Sequence, residues 1–136
     1  MNKNRIPFIA VFLLFFASAC FMVSCEKDRD DEELAAKIKS SQKNILTFEF
    51  FKADNSSLST DYNTSLNGNI IVANLPSDTN VSSLKPAFTV SEKAVVLVNG
   101  KFQTSRITAN DFTYPVVYTV QAEDGSTKNY TVTVNH

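Results

Sequence analysis

The chain has 136 residues, a formal net charge of -1 and a single histidine at its last position. That length fits one small domain behind a leader, and the near-neutral charge without a basic cluster excludes the electrostatic footprint of a nucleic-acid binder. The two cysteines, Cys20 and Cys25, both lie near the N-terminus, so the folded part is expected to carry no disulfide and no thiolate metal site.

Residues 1–24 read as a secretory signal. Lys3 and Arg5 supply the basic start, Ile6–Phe16 (IPFIAVFLLFF) the apolar middle, and Ala17–Cys25 the small residues of a cleavage region. An uncleaved membrane helix is the alternative, because Ile6 to Val23 is just long enough to cross a bilayer. Met22-Val23-Ser24-Cys25 resembles the lipobox of bacterial lipoproteins. That resemblance implies a diacylglyceryl group on the cysteine, cleavage just before it, and acylation of the new amine. Ala17-Ser18-Ala19-Cys20 is a second candidate, but it would leave Phe21-Met22-Val23 outside the bilayer, so Cys25 is the expected lipidation site. Two or three acyl chains hold a protein firmly, at about 0.8 kcal/mol per buried CH₂.

Residues 25–43 read as a lipidated N-terminus and tether. Glu26-Lys27-Asp28-Arg29-Asp30-Asp31-Glu32-Glu33 is a solvated charge run. It resembles the acidic signal that sends Bacteroidota lipoproteins to the outer face of the outer membrane. Glu32–Gln42 has acids early and lysines late, the order a helix dipole favours, but its apolar stripe is only Leu34 and Ile38. A frayed helix or coil is expected there.

From residue 44 to 136 the period becomes two. Leu46, Phe48 and Phe50 alternate with polar residues as a first strand, and Asn69–Leu75 (NIIVANL) is a second. The intervening stretches around Asn55 and from Asn63 to Asn69 read as turns. Ala87–Ser91 follows Pro86 as a short strand, and Ala94–Val98 (AVVLV) is a buried one. Asn99-Gly100 predicts a tight turn that lets Lys101–Thr104 pair back. Tyr114–Asn135 is a final hairpin around Glu123-Asp124-Gly125.

The register of that hairpin is decided by its binary pattern. A two-residue Asp-Gly loop would set Tyr118 against Thr131 and turn one apolar face to water. A three-residue loop with Gly125 in a G1 bulge pairs Tyr118 with Tyr130 and Val116 with Val132; a five-residue loop also preserves the faces. Either way Tyr118, Val120, Tyr130, Val132 and Val134 point into the core. About seven short strands with frequent turns predict an all-β, two-layer antiparallel sandwich of immunoglobulin-like architecture, with a small barrel as the alternative.

The opening Ile45-Leu46-Thr47-Phe48-Glu49-Phe50, the segment SSLKPAFTVS and the ending NDFTYPVVYTVQAEDGSTKNYTVTV resemble the Ig-like or cadherin-like sandwich domains of Bacteroidota surface lipoproteins. The resemblance covers residues 45–135 and implies location and fold rather than activity.

Catalytic material is sparse. His136 is terminal, and no GxSxG, P-loop or dinucleotide turn is present. Glu49, Asp54, Asp61, Asp78, Glu92, Asp111, Glu123 and Asp124 fall mainly in turns, where carboxylates cap backbone N–H groups. Asn110-Asp111 and Glu123-Asp124 supply oxygens but not the six to eight that calcium takes. The expectation is therefore a non-enzyme without cofactor or metal. The sequons at Asn55, Asn63, Asn80 and Asn129 read as polar surface.

Tyr62, Phe102, Phe112 and Tyr114 are the rings that a ligand would meet, with Asn63, Asn67, Gln103 and Asn110 near them in sequence; the competing role for these rings is to plug the ends of the sandwich. Three functions follow: an outer-membrane lipoprotein facing the cell exterior whose domain binds a glycan or a protein partner as an accessory subunit; a structural spacer with no small ligand; and, least, an enzyme.

Overall fold

The computed structural model describes residues 38–136. The leader, Cys25 and the charge run 26–33 lie outside them. Ser40–His136 forms one compact unit. Residues 38–44 carry no regular secondary structure, so the end of the stretch expected as frayed helix or coil is coil.

The strands, in order, are β1 (Ile45–Phe50), β2 (Tyr62–Asn63), β3 (Ser65–Asn67), β4 (Ile70–Asn74), β5 (Ala87–Val90), β6 (Val95–Val98), β7 (Lys101–Phe102), β8 (Val116–Gln121) and β9 (Thr127–Asn135). They form a β-sandwich of two sheets, one in the order β2-β1-β5 and one in the order β3-β4-β9-β8-β6-β7. The two strands beyond the expected seven, β2 and β3, come from the Asn/Ser-rich stretch that reads as turns. Both are edge strands, where few side chains need to be apolar.

The expected antiparallel arrangement needs one correction. β4 and β9 run parallel, with Ile70 opposite Thr131 through Asn74 opposite Asn135. Leu75 N–H donates to Asn135 O (2.8 Å) and Thr131 N–H to Asn69 O (2.9 Å), continuing the ladder past both ends. The second sheet is therefore mixed. Alternating residues state which face of a strand is apolar but not which neighbour it pairs with, and only a long crossover brings β9 back beside β4.

The last hairpin has the three-residue register. Val116 faces Val132, Tyr118 faces Tyr130 and Gln121 faces Thr127. Ala122 N–H donates to Ser126 O (2.9 Å) and Gly125 N–H to Ala122 O (3.0 Å), while Gly125 takes φ = 87°. That is a type I turn closed by a G1 bulge. Tyr118, Val120, Tyr130, Val132 and Val134 are all buried. The Asn99-Gly100 turn joins Val98 to Lys101 with both residues at positive φ, as a type I′ turn requires.

The first strand differs in one detail. Ile45 is buried and Leu46 is exposed, because a register irregularity between Ile45 and Thr47 adds one residue on the β1 side. The extra residue is Leu46, and the bulge turns it outward.

The layers are joined by aromatic rings. Phe48 meets Tyr118 edge-on at 5.2 Å and Phe50 meets Phe112 edge-on at 5.3 Å. Phe88 meets Tyr118 at 6.2 Å, and Phe112 stacks on Tyr118 at 6.4 Å. Such pairs add about 0.5–1.5 kcal/mol each beyond the area they bury. The Tyr118 hydroxyl accepts from Asn110 Nδ2 (2.8 Å), which leaves this deeply buried phenol satisfied; burial pushes its pKa well above the usual value.

Candidate binding face

The four candidate rings do not converge. Phe112 is only 1 % exposed and sits against Phe50 and Tyr118. It is a core residue, which corrects its assignment as ligand-facing. The physical reason is the loop path: Phe112 N–H donates to Val81 O (2.9 Å), and Asn110 bridges to Leu84, so this loop folds across the end of the sandwich and drives the ring inward. Tyr62 is half-buried on edge strand β2, and its hydroxyl lies 3.2 Å from Ser59 Oγ. Phe102 and Tyr114 remain, 71 % and 79 % exposed. Tyr114 precedes β8, and Phe102 lies on β7.

The amides named with these rings divide as well. Asn110 Nδ2 donates to both Gln103 Oε1 (2.7 Å) and Tyr118 Oη (2.8 Å), so it serves the fold. Asn63 and Asn67 are exposed, on β2 and β3. Asn55 is a buried residue rather than polar surface.

Phe102 belongs to a larger surface. Paired residues share a face of a sheet, so the register places it in a transverse row on the outer side of the six-stranded sheet. Phe102 faces Leu97, Leu97 faces Thr119, and Thr119 faces Asn129. Thr119 Oγ1 donates to Asn129 Oδ1 (2.9 Å), which leaves the Asn129 amide nitrogen turned to act as a donor. A neighbouring row runs Val117, Thr131, Ile70. Val117 and Ile70 are 46 % and 55 % exposed. The face is thus one ring and three aliphatic groups separated by threonine hydroxyls and one oriented amide. Sequence reasoning missed Leu97, Thr119, Asn129, Val117 and Ile70 as a set. Their signal was present as the opposite parity to the core residues, but it becomes a surface only when strand order is known.

The carboxylates serve turns. Asp124 Oδ1 accepts from Ser126 N–H (2.8 Å) and Oγ–H (2.6 Å), and these bonds hold its pKa below the ordinary carboxylate value. Asp111 is lowered in the same way by Thr113 Oγ–H and N–H. Asp54 receives Arg106 Nε at 2.7 Å and Nη2 at 3.3 Å. Among the described residues no group of three or more His, Cys, Asp or Glu is gathered as a metal would need.

A second feature lies elsewhere. Asp54, Asn55, Ser56, Ser57, Asn80, Ser83 and Lys85 line a polar pocket of about 320 Å³.

The comparisons with known proteins bear on this architecture. A region of a candidate glycoside hydrolase from Bacteroides thetaiotaomicron is similar in structure, with a TM-score of 0.54 and 29 % identity over 72 % of this chain. The chain spans 26 % of that protein's length. A candidate secreted protein from Bacteroides fragilis aligns over 69 % of this chain and 94 % of its own, with 18 % identity and a TM-score of 0.47. No curated protein matches. The family model described as "SGBP, N-terminal" matches residues 45–134, which is the whole sandwich from β1 to β9. This chain therefore belongs to the SGBP N-terminal family, a domain family of Bacteroidota surface proteins.

Proposed function

We propose that the protein is a lipid-anchored accessory subunit of the outer membrane, facing the cell exterior, whose sandwich contacts glycan through the outer face of the six-stranded sheet. The observation that carries this reading is Phe102, which is 71 % exposed and in register with Leu97, Thr119 and Asn129. The row runs across four strands, about 14 Å at about 4.8 Å per strand, which suits a glycan chain rather than one sugar: the ring covers the C–H face of one unit and the amide bonds hydroxyls of another. Family membership supports the same assignment. The test is a glycan array probed with the full chain and with Phe102→Ala. Retention of a polysaccharide that falls by at least about tenfold in the variant, the loss of roughly 1.4 kcal/mol of contact, is the expected result; equal retention by both chains excludes this face.

Cys25 is the proposed lipid site. Replacing it with serine is expected to abolish palmitate labelling, and retained label would move the anchor to Cys20.

A second reading is a spacer that presents other domains. It is favoured by two observations: Phe112 is spent in the core, and the family is described by its N-terminal position. No retention of any glycan by the full chain would support it.

A further inference from the structure

The polar pocket has a rigid floor and unspent donors. Its floor is Asn55, 4 % exposed. Asn55 Nδ2 donates to Phe51 O (2.9 Å) and Lys85 O (3.0 Å), and Lys85 N–H donates to Asn55 Oδ1 (2.7 Å). The amide thus ties the turn after β1 to the chain entering β5, and it has nothing left for a ligand. The turn is fixed further by Asp54 N–H to Phe51 O (3.2 Å) and Leu58 N–H to Asn55 O (3.1 Å). Behind it, Arg106 neutralises Asp54 at 2.7 Å and lies over the Phe51 ring at 5.3 Å.

The walls differ from the floor. Among the described residues, the hydroxyls of Ser56, Ser57 and Ser83 engage no hydrogen bond, and the Lys85 ammonium engages neither an ion pair nor a hydrogen bond. Asn80 uses its Oδ1 for Ser82 N–H (3.0 Å) and Oγ–H (2.6 Å), which leaves its amide nitrogen as a donor. With Asp54 paired to Arg106, the one uncompensated charge on the lining is that of Lys85. The pocket therefore offers one cation, one amide donor and three adaptable hydroxyls on a preorganised base. At about 320 Å³ it stands at the small end of ligand sites, which run from about 300 to 1,000 Å³. That is room for a single sugar residue.

We infer that this pocket binds one uronic acid residue, its carboxylate on Lys85 and its ring hydroxyls among Ser56, Ser57, Ser83 and Asn80. A carboxylate is the group that an unpaired ammonium beside hydroxyl donors selects, because charge-assisted hydrogen bonds are the stronger ones. The hydroxyls exchange donor and acceptor roles with a polyol, as a bare anion site would not require. The inference rests on the glycan-binding reading but on different residues, since none of the pocket's lining belongs to the face that bears Phe102.

The test is an amide NMR titration of the full chain in detergent micelles with glucuronate, glucose and inorganic phosphate in separate arms. Glucuronate is expected to shift Ser56, Ser57, Ser83 and Lys85, with glucose weaker by about tenfold, the worth of one charge-assisted bond. Lys85→Ala should erase that preference, Lys85→Arg should keep it, and Phe102→Ala should leave it unchanged. Equal affinity for glucose overturns the carboxylate assignment. A phosphate response on the same amides as strong as that of glucuronate makes this an anion patch and overturns the sugar assignment. Glycan-dependent shifts confined to Phe102 and its row would sink the pocket while leaving the sheet-face reading intact. Absence of any response at these four residues sinks the inference outright.

Discussion

Phe102 and Phe112 stand ten positions apart, in stretches of similar local composition, yet they have opposite fates. Phe112 fills the gap between Phe50 of one sheet and Tyr118 of the other. Phe102 sits on a two-residue edge strand with most of its ring in water. Phe112→Ala is therefore expected to cost about 3–5 kcal/mol, the range for removing a buried ring. Phe102→Ala should stay within about 0.5 kcal/mol, as surface changes do. Chemical denaturation of both variants checks the contrast, and a small effect at Phe112 would mean that the ring is not in the core. No local signal separated the two. Asp111-Phe112-Thr113 looks like a loop carrying an exposed ring, and the decision is made by Val81 and Leu84, some thirty residues upstream. Asn55 was unreadable for the same reason. An Asn-Ser-Ser tripeptide reads as surface turn until Lys85 is placed against it.

At the scale of elements, the final hairpin was the most legible part of the molecule. Strict alternation in β8 and β9 demands that apolar faces coincide, and only an odd loop between them satisfies that demand. The turn then needs a residue at positive φ, which Gly125 provides at 87°. A methyl group there would meet no atom within 4 Å, so the penalty for Gly125→Ala is purely conformational. It is expected to be about 1–2 kcal/mol, read as a lower melting temperature with an unchanged denaturant slope. A neutral effect would contradict the G1 bulge. By contrast, the β4–β9 pairing was invisible, since Asn69–Leu75 and Thr127–Asn135 carry alternation that is silent about direction. The Leu46 bulge was hidden too. It depends on how β5 meets β1, and ILTFEF alone admits either Ile45 or Leu46 as the inward residue.

At the scale of the molecule, the lead-in to β1 is fastened to the far end of the chain. Ser40 N–H donates to Glu123 Oε2 (2.9 Å), and Asp124 N–H donates to Ser40 O (3.1 Å). Lys43 Nζ donates to Ser126 Oγ (2.9 Å), Lys128 Nζ to Asn44 Oδ1 (3.1 Å), and Ile45 N–H to the Tyr130 hydroxyl (3.3 Å). The part of the expected tether from Ser40 to Lys43 is thus held on the hairpin tip rather than free. The depressed pKa of Asp124 gives this clamp a pH dependence. A carboxylate whose folded pKa lies below its ordinary value contributes stability that is present above that value, 3.8, and is lost as pH falls through the lower folded one. Hydrogen exchange of Ser40, Asp124 and Ser126 amides is therefore expected to be protected at neutral pH. That protection should weaken with acidification below about pH 4, and to do so less in Asp124→Asn. Equal protection factors, each taken against the intrinsic exchange rate at its own pH, above and below that range would show that the tip does not sense Asp124.

The short outer strands have a further consequence for a protein of the cell surface or envelope, where copies meet at high density. An open sheet edge is a template for another chain's backbone, and long flat edges invite polymerisation. Here β2 and β7 are two residues long and β3 is three. The remaining edge, β5, is already occupied: Phe88 N–H donates to Ser105 Oγ (2.8 Å) and Arg106 N–H to Pro86 O (2.8 Å). Among the described residues, no outer strand is longer than four residues. High local density therefore carries little risk of strand-to-strand fusion, and the wide faces, not the edges, are left for recognition.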